Sequence, residues 1–172
     1  MKNIKGLEKI SITVITIGAI VFNFWIYATA AQPWIISSLN ILFHEAGHWI
    51  FFVFGDFIHA LGGTLGEVMI PGIVTGHFYW RNNILGQLFG WWWLSTAFYS
   101  ISIYASDARA MVLPLIGGPG GHDWFYMLGR LRLLDYDIFI GRIFVLLAIT
   151  ATGMMAWLLY RYWQLEKGRI IS

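Results

Sequence analysis

The chain has 172 residues, 58% of them hydrophobic, 18% aromatic and only 12% charged, with a formal net charge of +2 and no cysteine. A soluble domain carries about 25% charged residues, and a water-soluble fold of this length cannot hide so much apolar surface, so the composition points to an integral membrane protein of one domain. No Lys/Arg-rich run exists beyond the N-terminal tail, which sets nucleic acid aside, and the missing cysteines exclude disulfides and thiolate metal ligands.

Lys2, Lys5 and Lys9 form the basic tail. Residues 10–31 follow as an apolar run long enough to cross about 30 Å of hydrocarbon. Ala28-Thr29-Ala30-Ala31 looks like a signal-peptide cleavage site, but the run is longer than the roughly 7–15 residues of a signal-peptide core, which favours an uncleaved first span. Gln32-Pro33 is a turn, and Pro33 suits the start of a helix, where its missing N–H costs nothing. The second span, residues 34–54, carries His44-Glu45-Ala46-Gly47-His48 about midway along its length.

Gly62, Gly63, Gly66, Gly72 and Gly76 punctuate the next stretch. There Val68-Met69-Ile70 and Ile73-Val74-Thr75 flank Pro71-Gly72 as two short strands flank a turn. The expectation is a short β-hairpin-like insertion over residues 61–80, either a surface loop or a hairpin dipping towards the site. Residues 84–104 form a third span, in which Gly86 and Gly90 make a small-xxx-small pair that permits close helix approach. Residues 110–133 read as a fourth span broken at 117–121 by Gly117-Gly118-Pro119-Gly120-Gly121. Residues 138–163 form a fifth, followed by Lys167 and Arg169. The fold class is an all-α integral membrane protein of about five transmembrane helices, the alternative being four spans plus a re-entrant segment. A modest Lys/Arg bias places the N-terminus on the cytoplasmic side of a multi-pass protein, in the cell membrane.

On a helix His44 and His48 share one face, about 5–6 Å apart, and can grip one metal ion. Glu45, about 100° further round, can reach a water molecule on that ion. The alternative is a polar cluster between packed helices, but ionisable groups within a span are costly, and Glu45 has no basic partner in its own span. A catalytic zinc takes three protein ligands and leaves one position for water. Asp123 is the first choice for the third ligand, since the five-span arrangement brings it to the depth of His44; it also suits a helix N-cap, and the two roles are compatible. His122 is next in line, then His77. His77 otherwise reads as a loop histidine or an oxyanion donor, and Asn40, one turn before His44, as an outer partner of the site or a helix–helix hydrogen bond.

These residues resemble the site-2 protease family of intramembrane zinc metallopeptidases. The resemblance covers His44 to His48, the glycine-rich segment from Leu61 to Phe78, and Pro114 to Leu128. It implies one zinc ion held by His44, His48 and Asp123, with Glu45 as the general base. It also implies a membrane-associated hairpin, here Val68, Met69, Ile70, Ile73 and Val74, that pairs with an extended segment of a transmembrane substrate protein. The family usually has Leu-Asp-Gly at the third ligand where this chain has His122-Asp123-Trp124, which marks a divergent, minimal member. Two alternatives stand beside it: a membrane metal hydrolase acting on a lipid amide or ester, whose sites also set His with Asp around zinc but without a substrate hairpin, and a catalytically inactive pseudoprotease or assembly subunit that keeps the scaffold.

Overall fold

The structure, a computed structural model, describes residues 2–114 and 121–171. It contains helices α1 (Lys2–Thr29), α2 (Trp34–Phe51), α3 (Asp56–Trp80), α4 (Ile84–Ser106), α5 (Asp123–Leu131) and α6 (Asp137–Ile171), with short 3-10 turns at Phe52–Phe54 and Leu134–Tyr136. There is no strand among the described residues. Residues 117–120 of the expected helix break lie outside those described.

Three segments are long and apolar enough to cross a membrane: Leu7–Thr29, Asp56–Trp80 and Leu134–Leu165. The expectation of about five spans is therefore corrected. α5 has only 9 residues, so it rises roughly 13 Å, less than half the hydrocarbon thickness. Among the other two, α2 spends Asn40, His44, Glu45 and His48 within 18 residues, and α4 carries the buried polar residues Gln87, Ser95, Thr96 and Ser102.

The hairpin-like insertion is also corrected. Residues 61–80 lie within the 25-residue helix α3, with Pro71 inside it. Pro71 withdraws one N–H from the helical ladder, and Thr75 Oγ1 donates to the Pro71 carbonyl at 2.7 Å. A helix satisfies its backbone polar groups internally, which a two-stranded edge in lipid cannot do. Of the glycines in this stretch, Gly62, Gly63 and Gly66 let neighbouring groups approach, whereas Gly72 and Gly76 have nothing within 4 Å of a Cβ position. Val68, Met69, Ile70, Ile73 and Val74 have their main-chain groups committed to the helix and offer no strand edge to a substrate.

The chain divides into two compact units. The first comprises Met1–Ala31, Pro71–Ser95 and Ile149–Ser172. Its apolar core is Ile12, Leu88, Met155 and Leu158. A buried polar knot joins three helices within it. Asn23 Nδ2 donates to Ser95 Oγ at 3.2 Å and to Thr152 Oγ1 at 3.0 Å, and the Tyr27 hydroxyl bonds both oxygens. The pair Gly86 and Gly90 acts as its spacing suggests: Gly86 lies against the Phe78 ring and Gly90 against Thr75.

The second unit comprises Gln32–Ile70 and Thr96–Ala148. Ala60, Ile101, Ala105, Ala108, Trp124, Met127 and Leu128 form its core. Here α2 is built inside out. Asn40, His44 and Gly47 are its buried residues, whereas Trp34, Ile35, Leu42 and Trp49 are exposed, Trp49 to 80%. The polar groups of α2 are thus turned inward and its largest apolar side chains outward. α2 and α3 run antiparallel and nearly touch. A Cβ on Gly62 would lie 2.8 Å from the Gly47 carbonyl oxygen, and one on Gly66 2.8 Å from Gly47 Cα. Gly62 and Gly66 are thus a second small-xxx-small pair.

Gly66→Ala is expected to lower stability by about 3 kcal/mol or more, because backbone rather than a flexible side chain stands in the way. Gly153→Ala meets nothing within 4 Å and should leave stability unchanged or raise it by about 0.5–1 kcal/mol. Thermal unfolding of both variants in detergent measures the contrast.

Candidate metal centre

The antiparallel pair fixes the first two donors. Because Gly47 sits against Gly62 and Gly66, the histidine face of α2 lies directly on α3. His48 Nδ1 is 2.7 Å from the His59 carbonyl oxygen, so the ring N–H donates there. That bond leaves the Nε2 lone pair pointing the other way. His44 Nδ1 faces Glu67 Oε2 at 3.6 Å, again turning Nε2 outward.

The third donor arrives on α5. His122 caps this helix, its Nδ1 accepting from the Phe125 N–H at 3.2 Å, and Asp123 occupies the first helical position. The cap role anticipated for Asp123 therefore falls to the residue before it. A carboxylate in the first turn is favoured by the helix dipole. Trp124 anchors the helix, buried in the core with its ring edge-on to Phe144 at 5.6 Å. The chain leaves α5 through Arg132 in a left-handed conformation, φ 58°.

Asp123 Oδ2 lies 3.1 Å from His44 Nε2 and 3.2 Å from His48 Nε2. All three donor atoms lie within 4.8 Å of one another, so His44, His48 and Asp123 can hold a metal ion. Metal–ligand bonds of about 2.0–2.2 Å at tetrahedral angles place donors roughly 3.3 Å apart, close to the two distances found. The space is there as well. A Cβ on Gly63 would lie 2.5 Å from His44 Nε2 and 2.7 Å from His48 Nε2, so the missing side chain opens the volume that both nitrogens face.

Two further residues, neither evident from the sequence, complete the surroundings. The Tyr104 hydroxyl donates to Asp123 Oδ2 at 3.2 Å and accepts from the Asp123 N–H at 3.0 Å, pinning side chain and backbone together. Its ring lies 5.5 Å from that of His44 and stacks on His122 at 4.4 Å. Glu67 is a buried carboxylate on α3, 4% exposed. A carboxylate within the apolar run 56–80 was the available signal, since ionisable groups in such runs are costly; Tyr104 carried no signal beyond being an aromatic residue near a helix end.

The remaining expected residues disperse. His122 is 3% exposed and turns Nε2 towards Asp107 Oδ2 at 3.5 Å, so it supports α5 rather than joining the donor group. His77 is exposed, edge-on to Phe78, and belongs to the first unit. Asn40 is buried at 1% exposure on the inward stripe of α2. Glu45 is half-buried and takes part in none of the ion pairs among the described residues. It lies near enough to Tyr104 for the two to interact electrostatically. An open cleft of about 370 Å³ adjoins the site, lined by His48, Trp49, Phe52, Asp56 and His59.

Asp123→Ala is expected to weaken metal binding by more than the roughly 10–100-fold that loss of an outer partner costs. Gly63→Ala, which alters no donor, is expected to weaken it by at least about 10-fold by filling the shared volume. Competition with a chromophoric chelator measures both. No protein-family model, curated protein or solved structure matches the chain.

Proposed function

We propose that the protein is a zinc-dependent intramembrane endopeptidase that hydrolyses a peptide bond in a membrane-embedded segment of a substrate protein. The observation that carries this reading is the convergence of His44 Nε2, His48 Nε2 and Asp123 Oδ2, with Glu45 adjoining His44 in the same helix. The three membrane-length apolar segments support a bilayer setting. The multi-pass arrangement in the cell membrane, with a cytoplasmic N-terminus, belongs to the same proposal.

His44, His48 and Asp123 would hold the ion. A zinc ion bound there would supply Lewis-acid chemistry, polarising a carbonyl group and lowering the pKa of water to about 7. Glu45 takes a proton from the attacking water as its oxygen bonds to the carbonyl carbon. It then delivers that proton to the amine nitrogen as the C–N bond breaks. Tyr104 holds Asp123 in place by its two hydrogen bonds. The cleft beside His48 offers an approach between the apolar side chains of Trp49 and Phe52.

The helical α3 favours a second reading, because it removes the strand edge that would select an extended peptide. The same donors and the same base suit hydrolysis of a lipid amide or ester. Zinc-loaded protein in liposomes is therefore assayed against a model transmembrane peptide, a lipid amide and a lipid ester. Peptide cleavage is expected. Cleavage of the lipids alone moves the assignment to the second reading, and stoichiometric zinc without any cleavage makes the chain a non-catalytic scaffold. Glu45→Gln is expected to lower turnover by about 10²–10⁴-fold with zinc content unchanged; a variant that turns over normally overturns the mechanism.

A further inference from the structure

A buried carboxylate in an apolar helical protein is expensive unless something compensates it. Glu67 is 4% exposed, and its sole ion-pair partner among the described residues is His44 Nδ1, with Oε2 at 3.6 Å. Its other oxygen, Oε1, is buried with no hydrogen-bond partner. Neither oxygen serves the packing of the second unit, whose core lies among Ala60, Ile101, Trp124, Met127 and Leu128. A Glu maintained there at such cost needs a reason outside stability, and its geometry supplies one. Glu67 lies one turn after Gly63, so the opening that the metal needs and the carboxylate that faces His44 are on one side of α3.

We propose that Glu67 is a positioning residue that orients His44 for the metal, resting on the zinc reading above. In the metal-loaded protein its carboxylate accepts the His44 Nδ1–H, which fixes the tautomer, keeps the Nε2 lone pair on the ion and raises its basicity. The two histidines then face acceptors from the same helix, His48 the carbonyl of His59 and His44 the carboxyl group of Glu67.

Three proteins decide the matter: the unaltered chain, Glu67→Gln and Glu67→Leu, each titrated with zinc alone in detergent against a competing chelator. Gln keeps a carbonyl acceptor of the same length, and Leu removes it. Glu67→Leu is expected to bind zinc about 10–100-fold more weakly, with Glu67→Gln recovering most of that loss. Thermal unfolding of the metal-free variants is followed alongside, and an affinity loss in Glu67→Leu protein that is still folded at the titration temperature is the expected result. Cobalt substituted for zinc should show a visible spectrum that changes in Glu67→Leu and is retained in Glu67→Gln. Zinc affinity in Glu67→Leu equal to that of the unaltered chain overturns the positioning role while leaving the zinc reading intact. An affinity loss in Glu67→Gln as deep as in Glu67→Leu also overturns it. Failure of the unaltered chain to bind zinc at all overturns the zinc reading itself.

Discussion

The close approach of α2 and α3 at Gly47, Gly62 and Gly66 is the constraint on which the site depends. In lipid, helices gain nothing from hiding apolar side chains from one another, so their association relies on tight packing and polar contacts. Here the packing is backbone against backbone, and it has a chemical result. It brings the His59 carbonyl and the Glu67 carboxylate within reach of two imidazoles on the facing helix. The rings are thereby turned so that both Nε2 atoms face the space left by Gly63. A larger residue at any of the three contact positions would separate the helices and release both rings together.

The third donor is placed by other means. α5 is short, and its position depends on groups that are polar as well as apolar. Trp124, Met127 and Leu128 bury one face, His122 caps the first turn, and Tyr104 grips Asp123 at both its N–H and its carboxylate. After α4, Asp107 accepts from the N–H groups of Val112 and Leu113, and the Arg109 guanidinium contacts Asp137 at 2.7 Å and 2.9 Å. Trp124 occupies the place where the resembled family has glycine, and here it acts as the apolar anchor of the helix that carries the ligand.

Much of this was legible in the sequence, for identifiable reasons. The apolar runs 10–31, 84–104 and 138–163 overlap α1, α4 and α6, although α1 begins already at Lys2 and α6 continues to Ile171, and Pro33 directly precedes α2. The pair His44 and His48 was legible because its spacing is a property of one helix. Asp123 was reached by matching depths between segments, and the structure does bring it to the histidines even though α5 is too short to cross the bilayer. Residues 61–80 were misread because glycine carries two signals, freedom for the backbone and smallness for a neighbour. A sequence shows the residue and not the neighbour. Pro71 strengthened the error, since the helix on either side of it is stabilised by surroundings that the sequence does not display. Glu67 and Tyr104 act only through partners distant in sequence, which no spacing rule connects.

The absence of a side chain at Gly63 is a condition on the rings themselves. A Cβ there would stand 2.5 Å from His44 Nε2 and 2.7 Å from His48 Nε2, so any larger residue would have to push the imidazoles aside. Two histidines four apart on α2 can therefore face α3 together only because the position opposite them carries no more than a hydrogen.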